Sequence, residues 1–351
     1  MSSTVEVRVL PSTSNGLRTS LARLVVPALA LLTAFLIGAV VIILTDFDHL
    51  ENLGTDPAGS IGGAIDVVIR GYGAIVAQAI GDPGRILTAM QSGSQADVAR
   101  AIRPLTEALL VATPLIFVSL GIGVAFRGGL FNLGANGQFL IGSLGATAGA
   151  IALDGHLPPA AILVLALVTG TLFGAAYGFV PGLLKARTGA HEVITTLMLN
   201  VIAAEIVFYV TRDRAFSKAL PSITSVPRLM ELPTIRLDWG FIAALVVGAM
   251  VSFVLFRTTL GFELRATGFS RTAARSAGMR PGRATVIAMS LSGGLAGMGG
   301  AFLTLGPARG LSGFDAGFVA LALALLGGLR PSGIIAASLI TFRRADWVLT
   351  V

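Results

Sequence analysis

Apolar residues along this chain fall in long uninterrupted blocks, not in alternating or one-faced patterns. Leu24–Leu44 runs uncharged for twenty-one residues, and further uncharged runs cover Ala108–Phe126, Gly128–Leu153, Leu157–Leu184, Trp239–Phe256 and Ala284–Leu305. Blocks of about twenty apolar residues match the helix length that crosses a bilayer's hydrocarbon core. Ala190–Val210 is equally apolar apart from Glu192 and Glu205, and a last stretch, Ala316–Phe342, is interrupted by Arg330-Pro331. An open backbone finds no water inside a bilayer, so these blocks predict helices. The expectation is an all-α fold: a polytopic transmembrane helix bundle of about eight spans, the last a broken helix or tight hairpin.

The polar stretches set the boundaries. Residues 1–23 are polar and basic (Arg8, Arg18, Arg23), and Thr45-Asp46-Phe47-Asp48 follows the first block. A signal peptide has an apolar core of about 7–15 residues and a small-residue cleavage site, so Leu24–Leu44 predicts an uncleaved first span. Asp66, Arg70, Asp82, Arg85, Asp97, Arg100 and Arg103 interrupt residues 61–103, and Asp82-Pro83-Gly84 divides them. One or two external amphipathic helices lying on the membrane are expected there, in preference to a poorly hydrophobic span at 61–80.

Composition agrees with that class. Apolar residues make up 54% of the chain and charged residues 12%, and mean hydropathy is +0.85. Soluble domains carry about 25% charged residues. The net charge of +7 sits mostly in arginines between apolar blocks. Membrane topology accounts for those without any nucleic acid partner. There is no cysteine, which removes disulfides and thiol chemistry. A cytoplasmic N-terminus places Arg127, Lys185 with Arg187, and the 257–283 loop inside, and Asp46, Asp48, Glu51, Asp56 and Asp154 outside. The 211–238 loop opposes this, with five basic residues against three acids, although long loops follow the rule weakly. The chain then divides into a 1–23 cytoplasmic tail, a 24–342 membrane domain with an external 45–103 region and a cytoplasmic 257–283 loop, and a 343–351 tail.

Three segments carry candidate chemistry, and none has the paired acids, metal spacing or nucleophile of an enzyme. In Gly128–Gln138, four glycines accompany Asn132, Asn136 and Gln138 between two apolar runs. Glycine at that density costs a helix about 1 kcal/mol per residue. The amides either line a path for a polar, uncharged solute or cap helix ends. In the next segment Glu192, Thr195, Thr196 and Asn200 recur at helical spacing on related faces. An ionisable group within a span is a functional candidate, although Glu192 also sits where it would reach water or cap a helix. His191 has no neighbouring ligand for a metal. The third segment is the 257–283 loop, where six arginines face one glutamate. Ser270 predicts the cap of a two-turn helix, Arg271–Ala277, ended by Gly278. Arg271 and Arg275 share one face at i, i+4, with Ala273, Ala274 and Ala277 on the others. Such a helix suits a groove on a soluble partner. The competing reading is that the arginines touch lipid phosphates. Gly170-x3-Gly174-x3-Gly178 and Gly293-x3-Gly297 are ridges for close helix packing.

Taken together, the chain from about residue 105 to 340 resembles the permease subunits of ATP-binding-cassette importers. The resemblance is to the branched-chain-amino-acid/ribose superfamily, nearest its nucleoside and simple-sugar branch. It rests on Gly129-Leu130-Phe131-Asn132-Leu133-Gly134-Ala135-Asn136-Gly137-Gln138, on Glu192-Val193-Ile194 through Leu197-Met198-Leu199-Asn200, and on Gly261-Phe262-x2-Arg265-Ala266-x-Gly268 through Ala273-Ala274-Arg275-x2-Gly278. Ala322–Gly327 followed by Arg330-Pro331-x-Gly333 adds to it. The resemblance implies a solute path lined from Asn132, Asn136, Gln138, Glu192, Thr195, Thr196 and Asn200. It implies a coupling helix in 261–278, with Gly261, Arg265, Gly268, Arg271, Ala274, Arg275 and Gly278 at the ATPase contact. The implied partners are a cytoplasmic ATPase carrying ATP and magnesium, a second permease (a paralogue or this chain itself), an external substrate-binding lipoprotein and membrane lipid. The chain itself would hold no cofactor. Asn136 stands where the branch usually has an acid and His191 where it usually has Asn. The chain stops where the family would continue into another span, so the C-terminus is expected to be truncated. An ion-coupled secondary transporter, working through Glu192, Glu205 or Glu107, is the alternative.

Overall fold

The computed structural model describes residues 16–45, 56–80, 83–212, 225–229, 235–306 and 316–341. Among these, the chain forms helices α1 (Gly16–Thr45), α2 (Pro57–Ile80), α3 (Pro83–Ser92), α4 (Gln95–Arg127), α5 (Ala135–Leu153), α6 (Pro159–Thr188) and α7 (Glu192–Thr211). After them come α8 (Gly240–Arg257), α9 (Thr259–Phe269), α10 (Arg271–Ser276), α11 (Pro281–Leu305), α12 (Ala316–Leu326) and α13 (Pro331–Thr341). Extended pairing among the described residues is confined to one bridge, Arg228 with Asp238. The acids Asp46, Asp48, Glu51 and Asp315, residues 1–15, most of the 211–238 loop and the 343–351 tail lie outside the described residues.

The chain divides into two compact units at residue 75, within α2. In the first, Tyr72 of α2 packs edge-on against Phe35 of α1 at 5.1 Å. Its hydroxyl donates to the Phe35 carbonyl at 2.5 Å.

The second unit is built around α11, with α4, α5 and α6 packed against it. The two glycine ridges face each other. A Cβ on Gly174 would lie 2.7 Å from Gly297 Cα, and one on Gly178 would lie 2.5 Å from the Met289 carbonyl oxygen. Helices have no hydrophobic drive to associate in lipid, so backbone proximity and dispersion hold them. Gly300 approaches α5 the same way, 3.0 Å from Ser143 N once a Cβ is added. Larger side chains fill the space beside α4, where Leu115, Ile116, Phe117, Leu120 and Ile122 are fully buried and Phe117 stacks on Phe302 at 5.0 Å. At 33 residues, α4 is about 50 Å long and exceeds the hydrocarbon thickness of about 30 Å.

The expected count of about eight spans falls among the described residues to five long apolar helices, or six with a bent pair. The five are α4, α6, α7, α8 and α11. α5 is not among them because its first residues are Ala135-Asn136-Gly137-Gln138, which the bundle, not lipid, surrounds. α1 contributes a shorter apolar stretch, Leu32–Thr45. The bent pair is α12 and α13, which turn through 118°, as the Arg330-Pro331 interruption led us to expect. The turn places Gly328 at φ 62° and Leu329 at φ 57°. The 61–103 region holds more helix than expected: α2 runs unbroken for 24 residues, α3 follows, and α4 begins at Gln95.

Candidate functional site

Chain breakage by glycine explains the start of the site. Gly128 ends α4, Gly129 takes φ 71°, and the backbone enters the bundle as an irregular segment before α5 begins at Ala135. At its centre Asn132 is completely buried. Its Nδ2 donates to Gln138 Oε1 and to Ser292 Oγ, both at 2.8 Å, and its Oδ1 accepts from Gly134 N at 3.0 Å and from Gln138 Nε2 at 3.3 Å. Ser292 lies eleven residues into α11, about 16 Å along that helix. Irregular backbone at such depth needs protein around it, and these amides supply its bonds.

Asn200 performs the matching task from α7. Its Oδ1 accepts from Gly137 N and its Nδ2 donates to the Leu133 carbonyl, each at 2.8 Å, so it caps the first turn of α5 from a neighbouring helix. Thr196 is buried and donates to the Glu192 carbonyl at 2.6 Å. Thr195 bonds the His191 and Glu192 carbonyls, both at 3.1 Å. Glu192 opens α7 and pairs with Lys185 near the end of α6. Asn136 differs from the other amides: its Oδ1 is buried with no partner among the described residues, and its Cβ lies against Gly317 of α12. Asn132, Gln138 and Ser292 therefore form one buried network, Asn200 bonds the backbone on either side of it, and Thr196 is buried beside Gly134 while bonding only within α7. Asn136, Thr195 and Glu192 take no part in those bonds.

The arginine loop folds into an elbow of two helices. Thr258 caps α9 by accepting from Gly261 N at 3.2 Å, and Ser270 caps α10 by accepting from Ala273 N at 3.3 Å. Gly278 at φ 81° follows α10, as expected of a left-handed stop. From the residues alone a helix was expected only over Arg271–Ala277, so the 261–278 element implied by the resemblance proves to hold two helices, α9 and α10. Its glycines mark close approach: a Cβ on Gly268 would lie 2.7 Å from Gly129 N, and one on Gly261 would lie 2.6 Å from Leu255 C. Arg265 Nε donates to the Leu255 carbonyl at 2.9 Å, and its guanidinium lies 5.2 Å from the Phe256 ring centre. Arg127 approaches the same ring at 5.6 Å and donates from Nε to the Leu329 carbonyl at 3.0 Å. The elbow is thereby tied to α8 and to the end of α4, and Arg127 ties α4 in turn to the α12–α13 turn.

Within α10, Ala274 is buried while Ala273, Ala277 and Arg275 face out. Arg271 is also exposed, yet its Nη2 donates to Thr285 Oγ1 of α11 at 3.0 Å, so it reaches back to the bundle. The residue missed from sequence is Phe269, 95% exposed between the two helices. Its signal was an aromatic between the turn-forming Gly268 and Ser270.

The remaining acids do not converge. Glu107 forms a two-pronged pair with Arg236, Nε to Oε1 at 3.0 Å and Nη2 to Oε2 at 2.7 Å. Glu205 lies exposed midway along α7. Among the described residues no group of His, Asp and Glu could hold a metal. Asp238, just before α8, is buried and accepts from Gly240 N at 2.9 Å. Burial pushes its carboxyl up to about 6, against that hydrogen bond.

The family model described as the permease component of branched-chain amino acid transport systems matches residues 105–344. The guanosine ABC transporter permease protein NupP of Bacillus subtilis is 37% identical over 66% of this chain and 70% of that protein. The nucleoside ABC transporter permease protein NupB of Lactococcus lactis is 33% identical, covering 68% and 70%. A glucose ABC transporter permease of Haloferax volcanii is 33% identical, covering 64% and 63%. Each of these organisms has a second permease that matches at lower identity: 24%, 29% and 27% respectively. No solved structure matches.

Proposed function

Because the chain belongs to the permease family of branched-chain amino acid transport systems, we propose that it carries nucleosides or simple sugars across the membrane. Permeases of this family are multi-pass membrane subunits that work with a separate ATPase and a substrate-binding protein, and the chain is one such importer subunit. The solute class is supported by relatives named for guanosine, nucleosides and glucose. A neutral polar solute also suits a region whose buried polar groups are amides and hydroxyls.

The observation that carries the coupling is the elbow: an almost fully exposed phenylalanine beside a capped cationic helix, braced from behind on α4, α8 and α11. Phe269 enters a groove on the ATPase, and Arg275 meets acids at its rim. Buried aromatics and arginines dominate interface energies. Gly261, Arg265, Gly268, Ala274 and Gly278 hold the elbow's shape, and Arg271 ties it to α11. Asn136, Thr195 and Glu192 face the solute path, while Asn132, Gln138, Thr196 and Asn200 stiffen its wall. The elbow is cytoplasmic, as is the N-terminus, and an external lipoprotein delivers solute on the opposite face. ATP and magnesium stay on the ATPase.

Capture of the ATPase by the detergent-solubilised permease tests this. Phe269→Ala with Arg275→Glu is expected to weaken capture by about tenfold or more, since each 1.4 kcal/mol is a factor of ten. Undiminished capture rejects the elbow as the contact. Uptake that survives ATP depletion but stops when ion gradients collapse rejects the ATP-driven reading in favour of ion coupling.

A further inference from the structure

Three guanidinium groups converge where α4 ends, and no acid answers them. Arg127 closes α4, Arg265 belongs to α9, and Arg330 stands in the α12–α13 turn. Arg127 and Arg265 approach the Phe256 ring at 5.6 Å and 5.2 Å. Arg127 bonds the carbonyl of Leu329, the residue before Arg330, and the charges of Arg330 and Arg265 both bear on it. The Nε atoms of Arg127 and Arg265 are committed to backbone carbonyls. Among the described residues, the Nη nitrogens of both and the whole Arg330 guanidinium make no hydrogen bond. Nor does any carboxylate there pair with the three. Glu107 takes Arg103 and Arg236, Glu192 takes Lys185, and the exposed Glu263, two residues before Arg265, pairs with none of them. Like charges gathered at the edge of a low-dielectric slab repel one another. Planar guanidinium forks with free outer nitrogens fit phosphate oxygens two at a time.

With the elbow on the cytoplasmic side, as proposed above, we infer that Arg127, Arg265 and Arg330 hold the phosphodiester of an anionic phospholipid from the inner leaflet. Basic pockets between membrane helices on that side suit such headgroups. The positive-inside bias alone asks for basic residues anywhere on the face, not for three meeting beside one aromatic ring. The surroundings favour a lipid over a free anion. Phe256 is 39% exposed beside the cluster, and Phe253, three residues earlier in α8, is 62% exposed. Leu325 and Leu326, just before the α12–α13 turn, are each more than half exposed. A headgroup on the arginines therefore has bare apolar surface next to it on two helices, where acyl chains can lie. Free phosphate makes no such contact. Three positive charges also favour a headgroup of net negative charge over the zwitterionic phosphatidylcholine. Because the arginines come from three separate elements, one headgroup bridges α4, the elbow and the α12–α13 turn.

Native mass spectrometry of the full chain in detergent, titrated with phosphatidylglycerol, phosphatidylcholine or inorganic phosphate, tests this. Phosphatidylglycerol is expected to bind about tenfold or more tightly than phosphatidylcholine, and inorganic phosphate alone is not expected to be retained. Each basic side chain beside an anionic headgroup is worth about a factor of five, so Arg330→Gln should lower phosphatidylglycerol affinity by about that much. The Arg330 side chain makes no bond within the described fold, so the variant keeps its structure. Arg283→Gln removes an equal charge from the exposed first turn of α11 and should leave the affinity unchanged. Arg330→Glu supplies the missing acid from within and should abolish the preference for phosphatidylglycerol. No preference in the parent chain, equal losses from Arg330→Gln and Arg283→Gln, or retention of inorganic phosphate in place of lipid overturns the inference. ATPase capture by the same preparation reports separately on the importer reading, so capture without lipid preference sinks the lipid site alone. Capture that falls with Arg330→Gln while lipid affinity holds makes an acid of the ATPase the occupant, and likewise overturns it.

Discussion

Asn132 commits both amide hydrogens and its carbonyl oxygen to protein partners at the heart of the bundle. Asn132→Leu keeps the volume but leaves Gln138 and the Gly134 N–H unpaired where water does not reach. Each such group costs about 1–3 kcal/mol. A clear fall in thermal midpoint in detergent is expected, larger than for Ser292→Ala, which removes only one of the four bonds. Asp238 behaves in the opposite sense. Its folded pKa of about 6 lies above the ordinary 3.8, so the folded chain binds this proton more tightly than the unfolded one. The group's contribution is most favourable below 3.8 and declines as pH rises through 6, by on the order of 2–3 kcal/mol. Asp238→Asn keeps the acceptor for Gly240 N, and should raise stability at pH 7.5 and flatten the slope between those two values. A mutant whose melting follows pH as steeply as the parent contradicts the assignment.

The helices test the packing argument. Gly174→Ala forces a methyl against the backbone of Gly297, at 2.7 Å from its Cα and 2.9 Å from its N. Backbone cannot move aside as a side chain can, and over-packing costs about 1–3 kcal/mol or more. Gly294 lies on the same α11, yet a Cβ there meets nothing nearer than Ala175 Cβ at 3.4 Å. Gly294→Ala should be neutral or slightly stabilising by helix propensity, about 0.4–1 kcal/mol. Equal loss from both, measured by thermal denaturation, would refute the seam. Both ridges were legible in the sequence, because small residues four apart share one helix face. That they face each other was not, since spacing reports a single helix and never its neighbour. The same limit applied to the amides: Asn132 and Gln138 were visible, but Ser292, 160 residues away, was not. α9 escaped notice because Gly261 and Gly268 favour loop by propensity, while close contact with Leu255 and Gly129 requires those glycines within a helix. The cap at Ser270 was legible because capping is local chemistry.

At the scale of the whole subunit, hydropathy blocks predicted the helical bundle, of which the described residues hold five long apolar helices, or six spans with the bent pair. α5 packs against both α6 and α11, so its first turn is free to carry Asn136 and Gln138. Charge told less. The 211–238 loop looked discordant for an external segment, yet Arg236 is absorbed by Glu107. Glu107→Gln weakens that pair and should slow uptake, by about tenfold if 1.4 kcal/mol of clamping is lost. ATPase capture through Phe269 should be unchanged, because Glu107 lies twenty residues along α4 from Arg127 beside the elbow. Loss of capture would show that the variant had unfolded.

α4 is fastened at two points twenty residues apart. Glu107 grips Arg236, and twenty residues on Arg127 grips the Leu329 carbonyl and flanks Phe256 with Arg265. A rod pinned in this manner cannot slide or tilt at one membrane face while standing still at the other. Under the coupling proposed above, thrust delivered to the elbow is carried along α4 toward the Glu107–Arg236 pair. On that reading, movement at the elbow and movement at the Glu107–Arg236 clasp are one motion and not two.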